Sequence, residues 1–389
     1  MTRWLGLTIG IVALWIAIWI YVPAPTYFLL TFSVGGPEIS AWLILAATGG
    51  IALSLTGPQV STVGRIGLGT SAVALLLSLG IWVRVPRTVR HAEEAMRGMS
   101  AAPSSTLRAS PIVYRDLFRR IPAGAVKTTR DIVFASPSGV PLRVDIYQPV
   151  RAGQFPILVQ IYGGAWQRGV PSDKSDFATW LASSGYVVIA IDYRHAPAWR
   201  WPAQIEDVNE ALRWVGAHAH EYAGDTSRVV VMGRSAGAHL ATMAAWFTTP
   251  IRVRGVVSYY GPVDLTEAFK HPPRPDPLRI RSVEAALLGA PLEQMPERYA
   301  DASTITHIRA GTTPLVPTLL VYGGRDHIVE PKYGAIVVEA LRARGTPVAY
   351  LEIPWADHAF DEVFNGPSSQ IALYYTERFL AWALTGAKP

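Results

Sequence analysis

The sequence predicts an α/β protein, a mostly parallel sheet covered by helices on both faces and preceded by an apolar amino-terminal region. Three observations point there. From about residue 125, short β-branched apolar runs alternate with longer segments patterned as helices. Within that alternation, Val229 to Met232 leads through Gly233-Arg234-Ser235-Ala236-Gly237 into HLATMAAWF, a strand, a tight turn and a helix in succession. Before it, residues 4–37 contain no charged side chain, and two further uncharged runs follow at 39–64 and 66–83.

Taken in order, Trp4 to Val22 is close to the 20 apolar residues that a helix needs to cross the hydrocarbon layer, and Pro23 and Pro25 end it. About three transmembrane helices are expected within residues 1–90, near 4–22, 39–56 and 66–84. Tyr27 to Val34 is too short to cross and is expected at the interface or as an extension of a neighbour. Residues 91–124 turn polar and rich in Pro, Ser and small residues, which suits a linker. The remainder, 125–389, reads as one catalytic domain. It opens with an antiparallel hairpin, TTRDIVFA and LRVDIYQP around Ser136-Pro137-Ser138-Gly139. Strands are expected at 156–162, 186–192, 229–232, 254–260, 318–322 and 348–353. Helices are expected at 176–184, 205–222, 332–344 and about 369–384. The apolar spacing Ile205, Val208, Leu212, Val215 marks one of these as amphipathic. A Pro-rich irregular stretch runs to about Pro314, and within it 264–303 interrupts the alternation as a cap insertion would.

The charge balance narrows the partners. Six Arg and three acidic residues (Glu38, Glu93, Glu94) leave residues 1–100 at +3, half of the formal +6 of the chain. The larger carboxy-terminal part therefore carries only +3 over 289 residues, without a basic run, and no nucleic-acid partner is expected. Membrane lipid around the first helices is. Four Arg (Arg84, Arg87, Arg90, Arg97) stand on the catalytic-domain side of the spans and two (Arg3, Arg65) on the other, so the positive-inside rule leans towards a multi-pass cell-membrane protein with a cytoplasmic catalytic domain. The absence of cysteine excludes disulfides, a thiolate nucleophile and Cys-ligated metal centres. His218 and His220, two apart on a helix, face different directions and suggest no metal site.

Ser235 at the G-x-S-x-G turn is the candidate nucleophile, because such a turn lifts a hydroxyl above the end of the sheet. A hydroxyl needs a base, and the base needs an acid to fix its tautomer. Asp326 follows the strand TLLVY and His358 follows VAYLEIP, the positions where those partners belong. Asp357 and Glu330 compete with Asp326 for the acidic role, while His327 and His239 read as structural. The strand PILVQI ends in Tyr162-Gly163-Gly164-Ala165-Trp166, so the amides of Gly164 and Ala165, with that of Ala236, are candidates for an oxyanion hole. Trp166, Trp199, Trp201, Trp355 and Phe360 fall in nearby loops and together suggest a substrate with an apolar acyl or aromatic group.

The ordered set IYGGAW, DYRHAP, GRSAGAHLA, GGRDHIV and ADHAF resembles the α/β-hydrolase superfamily, in its esterase and lipase branch with hormone-sensitive-lipase-like and carboxylesterase-like members. The resemblance covers about residues 125–385. It implies the α/β-hydrolase fold, a triad of Ser235, Asp326 and His358, hydrolysis of carboxylic esters and no cofactor. Two positions depart from the family pattern. Tyr162 stands where the oxyanion motif commonly has His, and Arg234 precedes the serine where the hormone-sensitive-lipase branch often has Asp. Asp192 and Arg194 read as loop pins, and Asp207 as a cap or ion-pair partner. An amidase, formamidase or acyltransferase would use the same triad, and a non-catalytic membrane scaffold would retain the fold.

Overall fold

A computed structural model describes residues 1–56, 61–100, 107–312 and 314–384. Part of the expected linker, residues 101–106, lies outside them. The chain begins with α1 (Thr2–Ile18), α2 (Tyr27–Glu38), α3 (Ser40–Ser54) and α4 (Thr62–Ala95). Helices α1, α3 and α4 pack together on small side chains. Gly6, Gly10, Ala13, Ala17, Ala47, Gly50, Gly67, Ser71 and Ala74 are buried between them, while Trp4, Ile11, Trp15, Leu45, Val73 and Leu76 are turned outward. Small residues thus lie inside this bundle and large apolar ones outside it, the reverse of the usual order. Arg3 Nε donates to Thr56 O at 2.8 Å at one end of the bundle, and Tyr21 Oη donates to Leu77 O at 3.0 Å near the other.

Among the described residues, only α4 is by itself long and apolar enough to cross a membrane; α2 and α3 meet that test as a pair, and α1 is shorter. The expected short segment at Tyr27 is a 12-residue helix that meets α3 at 83°. Helix α4 runs to Ala95, into what the sequence suggests is linker, because Val85, Thr88 and Ala92 keep a buried face along the catalytic domain. Tyr375 there donates to Val89 O at 3.0 Å.

The catalytic domain follows as β1 (Val126–Ala135), β2 (Leu142–Pro149), β3 (Phe155–Ile161), α5 (Ser175–Ser183), β4 (Val187–Ile191), α6 (Ala203–His218), β5 (Gly224–Arg234), α7 (Ala236–Met243) and β6 (Gly255–Tyr259). It continues with α8 (Leu265–Lys270), α9 (Ile280–Leu288), α10 (Pro296–Ala302), α11 (Thr304–Ala310), β7 (Thr318–Gly323), α12 (Lys332–Ala343), β8 (Val348–Ile353) and α13 (Pro367–Leu384). The eight strands form one sheet in the order β1-β2-β4-β3-β5-β6-β7-β8. β2 is antiparallel to both β1 and β4, and the pairs from β4 through β8 are parallel. Strands buried on both faces need continuous apolar runs, and VVIAI, VVVM and TLLV supply them.

The stretch expected to be irregular holds four short helices instead, α8 to α11. Each has only six to nine residues, too few to show a helical period, and prolines at 272, 273, 275 and 277 separate the first two. The side chain of Asp264 starts α8 by accepting from Glu267 N at 2.9 Å.

Candidate active site

The close packing of the start of α7 against the end of β3, the parallel neighbour of β5, sets the position of Ser235. A Cβ on Gly237 would lie 2.2 Å from Tyr162 O, so only glycine lets α7 begin this close to β3. The turn forces Ser235 to φ 51°, ψ −124°, a conformation that L-residues rarely adopt and that costs roughly 1–3 kcal/mol. Backbone bonds hold it there: Ser235 N donates to Tyr259 O at 3.0 Å, and Ala238 N and His239 N donate to Ser235 O.

His358 and Asp326 arrive from the ends of β8 and β7, respectively. His358 Nε2 lies 3.0 Å from Ser235 Oγ, and His358 Nδ1 lies 2.8 Å from Asp326 Oδ2. A carboxylate only accepts, so Nδ1 carries the proton and Nε2 presents its lone pair to the serine hydroxyl. The other oxygen of Asp326 accepts from Ile328 N at 2.9 Å and Val329 N at 2.8 Å, which fixes the carboxylate. Burial raises its pKa above the usual carboxylate value, while His358 pulls it back. The two competing acids are engaged elsewhere. Asp357 accepts from His327 Nδ1 at 2.9 Å, from the backbone of His358 and from Ser33 Oγ of α2, and Glu330 pairs with Lys332.

The loop after β3 lines the cavity beside Ser235. Gly164 has φ 127°, and a Cβ there would sit 2.0 Å from Arg168 O. Ala165 and Trp166 also have positive φ, at 56° and 58°. Among the described residues, no acceptor takes the amides of Gly164, Ala165 or Ala236, and all three residues line the space next to the serine. Tyr162 anchors this loop. Its hydroxyl donates to Asp192 Oδ1 at 2.5 Å and lies 2.8 Å from His195 Nε2, and its ring stacks on Tyr193 at 4.5 Å. Arg194, just beyond, pairs with Asp207 at 2.8 Å.

Sequence reasoning missed several residues that shape the site. For His239, what the sequence does not reveal is which parts of the fold it joins. Its Nδ1 accepts from Trp166 Nε1 at 3.2 Å, which leaves Nε2 to donate to Ala302 O at 2.6 Å. One neutral ring thus ties the loop after β3 to the end of α10. Burial lowers its pKa to about 4. Arg234 is buried and pairs with Asp361 at 2.5 Å, its guanidinium lying 4.6 Å from the Phe177 ring and 5.4 Å from that of Tyr259. Tyr260 donates to the other oxygen of Asp361 and sets its ring 4.7 Å from that of His358. Burial alone would raise the Asp361 carboxyl, but Lys174 and Arg234 bring it down to about 2. Asp361 lies only three residues beyond His358, yet its pairing with Arg234 crosses 127 positions and no spacing announces it.

Two spaces meet at Ser235. One is narrow and apolar, walled by Trp166, Val263, Leu278, Ile280, Val283 and Ile328. The other is a cleft of about 790 Å³ that also borders His358, Gly164, Arg168, Lys174 and residues of α2. Of the five aromatic residues expected near the site, only Trp166 lines either space. Trp355 is buried with Nε1 donating to Ser368, Trp201 donates to Asp301, and Phe360 lies in the core. The aliphatic side chains of α9 and of the segment after β7 supply the apolar wall instead.

Residues 144–341, half of the chain, match the BD-FAE family. The probable carboxylic ester hydrolase LipM of Mycobacterium tuberculosis is 34% identical over 246 residues, which covers 59% of this chain and 54% of LipM. Esterase LipC of the same organism is 33% identical over 243 residues, 57% of this chain and 58% of LipC. The chain thus spans about half the length of these curated relatives. The propionate-bound structure of the esterase Est2 from Thermogutta terrifontis superposes with a TM-score of 0.55 at 23% identity, covering 70% of this chain and 98% of that one. That likeness speaks for the fold. Sheet order, family match and relatives agree: the chain belongs to the BD-FAE family, within the esterase and lipase branch of the α/β-hydrolases.

Proposed function

We propose that the protein is a membrane-anchored serine hydrolase that cleaves carboxylic esters through an acyl-enzyme on Ser235. The continuous row Ser235 Oγ, His358 Nε2, His358 Nδ1, Asp326 Oδ2, with steps of 3.0 and 2.8 Å, carries this reading. His358 takes the hydroxyl proton as Ser235 Oγ attacks the ester carbonyl, and Asp326 stabilises the resulting imidazolium. The amides of Gly164, Ala165 and Ala236 hold the oxyanion of the tetrahedral intermediate. Its collapse expels the alcohol, which takes the proton back from His358. A water activated by the same imidazole then releases the acid and frees Ser235. The carboxylic ester hydrolase and esterase names of LipM and LipC support the same bond type.

The bundle of α1, α3 and α4 serves as the anchor, with outward aliphatic and Trp side chains in lipid. The apolar part of α4, Ile66 to Val83, spans about 27 Å at 1.5 Å per residue, close to the roughly 30 Å hydrocarbon layer. The positive-inside lean puts the catalytic domain in the cytoplasm. Labelling of the full-length protein in membranes by a fluorophosphonate probe, beside Ser235→Ala, tests the hydrolase reading. Labelling that disappears in the variant is expected; equal labelling of both, or none in folded wild type, would overturn it.

A further inference from the structure

Helix α2 is the least expected element of the amino-terminal region. It lies across the end of the bundle rather than along it, at 83° to α3. Tyr27, Leu30, Thr31, Val34 and Gly35 border the same cleft as Ser235 and His358. Their spacing of three, four, seven and eight residues makes them one face of the helix. Another side of α2 joins the outward apolar surface. Phe28 is 73% exposed, and Phe32 sets its ring 5.8 Å from Phe28 and 6.5 Å from Trp15 of α1. The helix therefore separates the cleft from the surface assigned to lipid.

It is also fastened to both sides of the reacting centre. Tyr27 Oη accepts from Arg168 Nη2 at 2.6 Å, beside the loop that carries Gly164, and the same guanidinium lies 5.0 Å from the Tyr27 ring. Ser33 donates to Asp357, the neighbour of His358. Near its end, Glu38 accepts from Ser368 N at 3.0 Å at the start of α13. Lys174 and Glu362, paired with each other at 2.7 Å, border the same cleft, as does Arg168 where it meets Tyr27. The cleft therefore offers both aliphatic side chains for an alkyl chain and charged ones for a polar head.

We infer that α2 is a substrate-binding wall, and that the substrate is an amphiphilic ester with a long acyl chain, drawn past α2 from the adjoining lipid leaflet. This rests on the ester-hydrolase reading and adds to it the substrate class and route. The test uses full-length protein in phosphatidylcholine vesicles with two probes, a long-chain fluorogenic ester resident in the bilayer and soluble p-nitrophenyl acetate. Leu30→Gln and Thr31→Arg change the face of α2 towards the cleft, while Leu76→Ala, on the outward bundle surface, controls for altered insertion.

The ratio of kcat/KM for the bilayer ester to that for the acetate falls at least tenfold in Leu30→Gln and Thr31→Arg and stays at the wild-type value in Leu76→Ala. Fluorophosphonate labelling confirms that each variant keeps a formed site. An unchanged ratio in both α2 variants overturns the inference, as does wild type that hydrolyses the acetate but not the bilayer ester. Absence of turnover on both esters, together with absent labelling, overturns the hydrolase reading and this one with it.

Discussion

Ser235, His358 and Asp326 stand at the ends of three strands, β5, β8 and β7, and each announces itself in sequence because a motif follows its strand directly. The choice of acid was less legible, since Asp357 and Glu330 lie on the same loops. Geometry separates them: Asp326 faces Nδ1 of His358, whereas Asp357 is taken up by His327 and Ser33. Asp326→Asn should therefore lower kcat on a soluble ester by about 10³- to 10⁴-fold, because an amide no longer holds the proton on Nδ1. An equal loss in Asp357→Asn with no loss in Asp326→Asn would reverse the assignment. His239 gives a second residue-level expectation. Its folded pKa is depressed from 6.5 to about 4, so between those values the unfolded chain binds a proton that the native one refuses. Stability is present above pH 6.5 and is lost as the pH falls towards 4, by on the order of 3 kcal/mol. In His239→Gln, melting temperatures measured from pH 7 to 4.5 should fall less steeply than in wild type; parallel curves would contradict this.

At the scale of elements, the sheet was readable because buried parallel strands leave long apolar runs, and the elbow because its glycines sit where backbones nearly touch. Helices α8 to α11 were not, being shorter than the window in which a period of 3.6 shows. Nor was the support beneath the elbow. Arg234 joins α5, β6 and the loop after β8 through Phe177, Tyr259 and Asp361, contacts that exist only once the chain has folded. Removing Arg234 leaves the buried Asp361 with Lys174, 3.9 Å away, as its remaining cation, so Arg234→Met should cost about 3 kcal/mol. Arg234→Met combined with Asp361→Leu should recover much of that loss in urea denaturation. A single variant as stable as wild type would show that the pair contributes nothing.

For the whole molecule, the uncharged runs lead to the proposal of a membrane anchor, and the bundle has small residues inside and large apolar ones outside. What the runs concealed was α2. Its short apolar segment has no period that distinguishes a surface helix from a loop, and its bonds to Arg168, Asp357 and Ser368 reach 141 to 330 positions along the chain. An anchored bundle predicts that the full-length protein stays with the membrane fraction through an alkaline carbonate wash and leaves it only with detergent. Release by carbonate alone would mean that the bundle is a peripheral or soluble element.

The chemistry itself is tested most directly by intact-protein and peptide mass spectrometry of enzyme quenched during turnover of p-nitrophenyl butyrate. The account predicts a burst of p-nitrophenolate stoichiometric with enzyme and a butyryl mass increment on the peptide that contains Ser235, absent in Ser235→Ala. Turnover that persists in Ser235→Ala, or an increment carried by another residue, would contradict it.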